Sequence, residues 1–407
     1  MSTLSFVRDN APYLGAGALL AFTSSFGQTY FISVFAGEIR ETFVLSHGQW
    51  GGIYATATTI SAIVMVWSGV LTDRMRVRAL APIVLVGLAL ACLGMAGVAS
   101  VWMLGAVIFA LRLTGQGMTS HISMVAMARW FVARRGRALS IAALGFACGE
   151  AFLPMIFVAL KSIFDWRLLW GLAAVFVLAV IFPLTRLLKF ERTPQSISAE
   201  TVAVGMDGRQ WKRMEVIRHW LFWLVLPSVL GPSAFITAFF FLQVHVAEVK
   251  GYSHVSLAAL FPVYTGAGIA AMLAAGWAID RVGAARLMPI FQIPMIAGFL
   301  VLSWGNGLGA AALSLGLLGI STGMNATLSS AFWAEFYGTQ HIGAIKSLGT
   351  AAMVLGSAIG PGITGLMIDA GVDFPQQGTA IAAYFACACL AAGFGVARAG
   401  PSLAAAT

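Results

Sequence analysis

Charge is scarce in this chain: only 10% of its 407 residues are Asp, Glu, Lys or Arg, against 59% that are hydrophobic. A soluble domain needs a charged surface, so this composition excludes one, and a mean hydropathy of +0.89 puts the chain in a bilayer. Cysteine is scarce too. The four present, Cys92, Cys148, Cys387 and Cys389, all fall in apolar stretches. Cys387 and Cys389 are two apart and so point to different helix faces, which leaves no disulfide or metal framework. No His-Glu-x-x-His, Gly-x-Ser-x-Gly or cluster of His and Asp occurs in an apolar stretch, so the groups an intramembrane enzyme needs are missing. The chain reads as a non-enzyme that calls for neither cofactor nor metal.

What is present is apolar sequence in lengths of about 20 residues, enough to cross a bilayer's ~30 Å hydrocarbon core. Twelve such spans are expected, at 12–35, 48–71, 79–100, 101–128, 136–160, 167–188, 219–245, 253–279, 286–304, 307–333, 343–368 and 379–397. The first is too long, and its flank too poor in cations, for a cleavable signal, so it is read as a helix that stays.

The chain also repeats. Gly69, Asp73 and Arg74 recur 207 positions later as Gly276, Asp280 and Arg281, and the same offset joins Gly136 to Gly343, Ser140 to Ser347, Gly149 to Gly356 and Pro154 to Pro361. Glycine and proline hold backbone positions few other residues can take, so this recurrence marks a duplicated unit. The predicted architecture is an all-α membrane protein of twelve transmembrane helices in two six-helix, pseudo-symmetric bundles. Residues 1–188 form the first, 219–407 the second, and 189–218 a linker, whose end at 210–218 is read either as a short interfacial helix, with Trp211 and Met214 at helical spacing, or as a solvated tether.

Lys and Arg set the orientation. Sorted by loop, 19 fall on the side of both termini, and Arg40, Lys161, Arg167 and Lys250 on the other, so the termini and the linker are expected in the cytoplasm. The same scatter of loop anchors accounts for the formal charge of +9 without a nucleic-acid partner.

Gly69-x-x-x-Asp73-Arg74, followed by Arg76 and Arg78, resembles the loop signature of the major facilitator superfamily, and Gly276, Asp280 and Arg281 its second-half copy. The resemblance covers the whole chain. Arg112-Leu113-Thr114-Gly115-Gln116-Gly117 resembles the superfamily's fourth-helix Arg motif. Asp165-Trp166-Arg167 and Trp333-Ala334-Glu335-Phe336-Tyr337-Gly338 look like marks of its organic-anion and monocarboxylate porter branches. The loop signature also has its own physical logic. Gly69 and Gly276 let another helix approach, and Asp73 and Asp280 accept hydrogen bonds at a neighbouring helix start, near Gly343 and Gly136 respectively, in contacts that form in one conformation and break in another. These residues, with Arg74 and Arg281, are the expected gate; the bland alternative for each carboxylate is a solvated turn.

After every loop charge is assigned, one cation and one acid remain deep in spans, Arg112 and Glu150. Both sit ~15 to 18 Å below the outer ends of the fourth and fifth spans, near the midplane. A charge there is costly unless paired or hydrated, so an Arg112–Glu150 pair, direct or through water, is expected. Their repeat positions hold Gly319 and Ser357. The scaffold is duplicated and the charges are not, which favours a proton-coupling role over a static bridge.

The resemblance implies that the first, fourth, seventh and tenth spans line the central cavity. There the candidate substrate contacts are Ser24 and Gln28, Arg112 and Gln116, Ser233 and Thr237, and Ser321, Thr322 and Asn325, several of them paired at i, i+4 on one helix face. Each could equally be helix-to-helix glue. Pro227, Gly231 and Pro232 are expected to kink or break the seventh span, and Gly319 and Gly323 to loosen the tenth or pack it closely. His121 and His245 are read as hydrogen-bonded interfacial histidines. Related porters for monocarboxylates and oxalate carry a cation in the eighth span, nitrate porters one in the second and one in the eighth; this chain has neither, so Arg112 alone would bind a monoanion.

The reading is therefore a multi-pass secondary transporter of the cell membrane, plasma or inner, working by alternating access. A small organic solute, monocarboxylate-like, is the favoured substrate, the proton the coupling ion, the lipid bilayer the environment and a monomer the working unit. The alternatives are efflux of an uncharged lipophilic compound, or a non-transporting sensor on the same fold.

Overall fold

A computed structural model describes residues 3–69, 71–131, 135–189, 204–338 and 341–404. Every regular element among them is helical. The chain divides into two compact units, Met1–Ala199 and Glu200–Thr407. Among the described residues nine helices are long and apolar enough to cross a membrane, and the bent pair Phe6–Gly27 and Thr29–Phe43, turned by 48° at its break, makes a tenth. His47–Ser68 stands where the second span is expected, and the shorter apolar helix Ile293–Trp304 where the ninth is.

Each unit repeats the same packing. In the first, the fifth span (Arg135–Lys161) packs on the first, the sixth (Trp166–Leu187) on the third (Val77–Ala96), and the fourth (Val101–Leu111 continuing to Trp130) on the second. In the second unit the eleventh (Ile342–Asp369) packs on the seventh (Trp220–Phe241). The twelfth (Phe374–Ala404) packs on the ninth, and the tenth (Gly307–Tyr337) on the eighth (His254–Ala258 and Phe261–Val282). Glycine makes the repeat visible in space. A Cβ on Gly149 would stand 2.0 Å from Ser25 Oγ of the first span, and one on Gly356 2.7 Å from the Leu230 carbonyl of the seventh. Both glycines let the fifth or eleventh span lie against its partner's backbone.

Several expected helices prove interrupted or continuous against expectation. The first span is not one helix: Thr3–Thr23 passes into a 3-10 turn at Ser24–Gly27, Gln28 is extended (φ −85°, ψ 154°), and helix resumes at Thr29–Ile32. Thr23 and Ser24 return their hydroxyls to the carbonyls of Leu19 and Ala21, each at 2.7 Å, which bends a helix and prepares its end. The fourth span widens into a π-helix at Arg112–Thr119. The ninth begins with a separate turn, Ala284–Leu287. The seventh, in contrast, runs unbroken through Pro227 and Pro232, and Gly231 there makes room for Tyr384, 2.5 Å from where its Cβ would be. The tenth is also continuous. Gly319 and Gly323 seat it on the eighth span: a Cβ on them would stand 2.2 and 2.0 Å from the carbonyls of Tyr264 and Gly268, so they are packing glycines and do not loosen it.

Residues 190–203 of the expected linker lie outside the described residues. The part that follows is folded onto the second unit. Trp211 donates its backbone N–H to the Tyr337 carbonyl at 3.1 Å and its indole N–H to the Met206 carbonyl at 3.2 Å. It is buried with Met206, Val216, Trp333 and Tyr337. The short helix covers Arg213–Arg218 only: Trp211 precedes it as a core residue, and Met214 is exposed.

Candidate functional site

The two irregular stretches of the first unit, the break in the first span and the π-turn of the fourth, lie against each other. Gly27 and Gly115 are the contact: a Cβ on Gly27 would stand 2.2 Å from the Leu111 carbonyl, and one on Gly115 would stand 2.6 Å from Gly27 Cα. The break also rewires the backbone. The N–H groups of Phe31 and Ile32 both donate to the Gln28 carbonyl, at 3.2 and 3.1 Å. That leaves the Gly27 carbonyl free of the helical ladder, and Arg112 takes it.

Arg112 is 2% exposed. Its Nη1 donates to the Gly27 carbonyl at 3.2 Å and to Thr29 Oγ1 at 3.3 Å, and its guanidinium carbon lies 5.2 Å from the centre of the Tyr54 ring. Thr29 and Tyr54 share a short hydroxyl hydrogen bond. Among the described residues Nε of Arg112 has no hydrogen-bond partner. Among the described residues no carboxylate reaches ion-pair distance of this cation, so its stabilisation comes from neutral dipoles and a ring face.

A direct Arg112–Glu150 ion pair, one of the two forms expected, is not found among the described residues. The broken backbone presents Arg112 with a carbonyl and a hydroxyl, while Glu150 is half-buried on the fifth span. Tyr30 donates to Ser25 Oγ at 2.8 Å, and its ring meets Phe146 at 5.8 Å, one turn before Glu150. Tyr30 thus ties the interruption to the fifth span. In the second unit, Gly319 at the place of Arg112 packs on backbone, and Ser357 at the place of Glu150 returns its hydroxyl to Val354 at 2.9 Å.

The other candidates scatter. Ser24 is satisfied by its own helix, and the extended Gln28 no longer shares a helix face with it. Gln28 is 7% exposed, and its amide makes no side-chain hydrogen bond among the described residues. Gln116 is half-buried inside the π-turn, where wider winding removes the i, i+4 alignment with Arg112. In the second unit Ser233 and Thr237 are half-buried, Asn325 accepts from the Ser329 hydroxyl, Thr322 returns to Leu318, and the buried Ser321 hydroxyl has no partner. Sequence reasoning missed Ser25, Thr29, Tyr30 and Tyr54. The run Ser24-Ser25-Phe26-Gly27 in mid-span was the available signal for the break, since small polar residues and glycine propagate a helix poorly.

The loop signature is partly visible. Arg74 ends the short helix Leu71–Arg74 and is exposed; Arg281 lies over the Trp277 ring at 3.9 Å. The capping contacts expected of Asp73 and Asp280 involve side chains outside the described residues. Close helix approach is not found at Gly276, where a Cβ would meet no described atom within 4 Å, and at Gly69 the nearest atom of another helix is His121 Nε2 at 3.6 Å. His121 instead reaches Thr72 Oγ1 at 3.4 Å, which itself donates to Gly69. His245 Nε2 lies 3.3 Å from Asp373 and 3.4 Å from the Phe374 N–H. Glu335, in the second porter mark, accepts the Ala284 N–H at 2.7 Å and so caps the turn that follows Arg281, as a carboxylate at a helix start does.

The fold is shared with solved transporters. A bacterial homologue of the human lysosomal transporter Spinster, in an inward-facing, unoccupied conformation, superposes with a TM-score of 0.66 at 16% identity, covering 97% of this chain and 95% of its own. A mutant of the nucleoside transporter NupG gives a TM-score of 0.70 at 13% identity, covering 95% and 99%. No curated protein matches the sequence. Residues 17–361 match the Major Facilitator Superfamily as a sequence family, and with most of its length inside that match the chain belongs to the Major Facilitator Superfamily.

Proposed function

We propose that this chain is a proton-coupled secondary transporter for a small monocarboxylate-like organic anion, working by alternating access as a monomer in the cell membrane. The family and the fold it shares with solved transporters support a transporter over an enzyme. One observation carries the substrate class: Arg112 is buried and, among the described residues, bonded only to neutral groups, with Nε unpartnered. A substrate carboxylate would supply the counter-charge and a charge-assisted hydrogen bond, strongest in a site that excludes water. Thr29 and Tyr54 would present their hydroxyls beside it. Glu150 is the proposed proton carrier, because it is a half-buried carboxylate on the fifth span whose repeat position holds Ser357, so the acid is not part of the duplicated scaffold.

Purified protein in proteoliposomes tests this directly. A panel of radiolabelled short monocarboxylates should include a compound that accumulates against its gradient when the inside is alkaline. Arg112→Gln should lose that uptake, and Arg112→Lys should weaken it by losing the planar fork. Movement of uncharged lipophilic compounds alone, undiminished in Arg112→Gln, would establish the efflux alternative in its place.

A further inference from the structure

One atom of His245 stands between two partners that ask opposite things of it. Its Nε2 lies 3.3 Å from Asp373 Oδ1 and 3.4 Å from the backbone nitrogen of Phe374. An imidazole nitrogen carries either a proton or a lone pair. With the lone pair it accepts the Phe374 N–H and cannot bond the carboxylate; with the proton it donates to Asp373 and gives up the N–H. Phe374 opens the twelfth span, Phe374–Ala404, so its N–H is one of those that a helix start cannot satisfy internally. His245 is buried on the helix Gln243–Lys250, which continues the seventh span, and the buried Phe374 ring meets Phe239 of that span at 6.5 Å. Neutral His245 therefore fastens the end of the seventh span to the start of the twelfth by capping it. A cation so near a helix start is opposed by the helix dipole, and Asp373, immediately before that start, is the anion that offsets it. The backbone of Asp373 is itself held in place: its N–H donates to Gln376 Oε1 at 3.1 Å and its carbonyl accepts the Gln377 N–H at 3.1 Å.

We infer that His245 is a pH sensor in the second unit, changing from an acceptor that caps the twelfth span when neutral to a donor paired with Asp373 when protonated. The change alters how the end of the seventh span is fastened, and it stands independently of the substrate and the proton carrier proposed above. The other ionisable groups on the elements packed here are Glu248, Lys250, Tyr252, His254 and Asp369; the span Trp220–Phe241 that leads to His245 has none. Glu248 and Asp369 are exposed. Lys250 donates to the carbonyls of Ser303 and Gly305, and Tyr252 to that of Gly307 at 3.0 Å. His254 Nε2 lies 3.1 Å from Gln243 Oε1, and Gln243 Nε2 donates to the Phe240 carbonyl at 3.1 Å. The Gln243 oxygen can therefore only accept, and His254 donates to it whether neutral or charged. His245 differs in that its two contacts exclude each other.

The test is the titration of His245 in the purified full-length protein, followed by magnetic resonance of isotope-labelled histidine between about pH 5 and pH 8 and assigned by its loss in His245→Gln. The amide signal of Phe374 should move with the midpoint of His245, and that movement should vanish in His245→Gln. Asp373→Asn keeps the shape of the side chain but not its charge. In that variant the His245 midpoint should fall by about one pH unit, because the protonated form loses its anion. A Phe374 amide that does not follow His245, or a midpoint unmoved or raised in Asp373→Asn, overturns the inference. So does a His245 that keeps one form throughout the range. If His245→Gln does not fold, its signal is assigned by substituting the other five histidines in turn, and the Asp373→Asn shift decides alone. None of these outcomes bears on Glu150 as carrier or on the transporter reading, which the uptake assays test separately.

Discussion

Arg167 and Lys250 cap equivalent helix ends from non-equivalent places in the repeat. Arg167 Nη1 donates to the carbonyls of Ala96 and Val98, at 3.1 and 2.7 Å, and Lys250 Nζ to those of Ser303 and Gly305, at 3.2 and 2.9 Å. Ser303 and Gly305 lie 207 positions after Ala96 and Val98, whereas Arg167 precedes the sixth span and Lys250 follows the seventh. The duplication kept the unsatisfied carbonyls at the end of the third and ninth spans, and each half found its own cation for them.

Loss of either cap should therefore have a similar effect. Arg167→Ala and Lys250→Ala should each cost about 1 kcal/mol, the usual net worth of a hydrogen bond at a partly exposed site. Thermal unfolding in detergent should show it as a fall in Tm of a few degrees. A Tm unchanged in both variants would reduce the shared cap to a coincidence of geometry.

Glycine substitutions should divide sharply by position. Gly27→Ala and Gly115→Ala drive a methyl into backbone and should destabilise by ~3 kcal/mol or more, the upper end of overpacking costs. Gly171→Ala, in the sixth span, where a Cβ meets nothing within 4 Å, should be neutral or stabilise by up to ~1 kcal/mol through helix propensity. Expression level and Tm of the three variants measure this.

Glu150→Gln keeps the shape of the side chain but cannot carry a proton. It should abolish accumulation driven by a pH gradient while sparing exchange of substrate at equilibrium, both measured in the same folded protein. Equal loss of both, or full retention of both, would reject Glu150 as the carrier.

His219 gives a pH dependence outside the spans. Its Nδ1 lies 3.2 Å from the Tyr337 hydroxyl and its ring 4.7 Å from Trp211. Burial holds it below the ordinary histidine value, assisted by Arg209 and opposed by Asp207. A base whose folded value is depressed takes up protons more readily when unfolded, so its contribution is complete above the unfolded value, about 6.5, and is lost as pH falls towards the folded one. Between pH 7.5 and 5.5 the Tm of the unmodified protein should fall by more than that of His219→Gln. Parallel curves would remove His219 from the account.

Arg112 and Glu150 show how far the sequence reaches. That they are the two deep charges, and that neither has a mate in the other half, follows from hydropathy and the offset of 207 alone, because a charge among apolar residues needs no fold to be conspicuous. The positions of the spans, the repeat and the loop signature were legible for the same reason: bilayer thickness and the backbone demands of glycine and proline act locally. The partners of Arg112 were not legible. Whether the first span breaks at Gln28 depends on Gly115 lying against Gly27 and on Arg112 accepting the place of a helical N–H at a carbonyl 85 positions away. Read locally, residues 12–35 are one helix. Only the packing of the fourth span on the first supplies the hydrogen bond that lets it be two, because a mid-membrane carbonyl can leave its ladder only where another donor already stands.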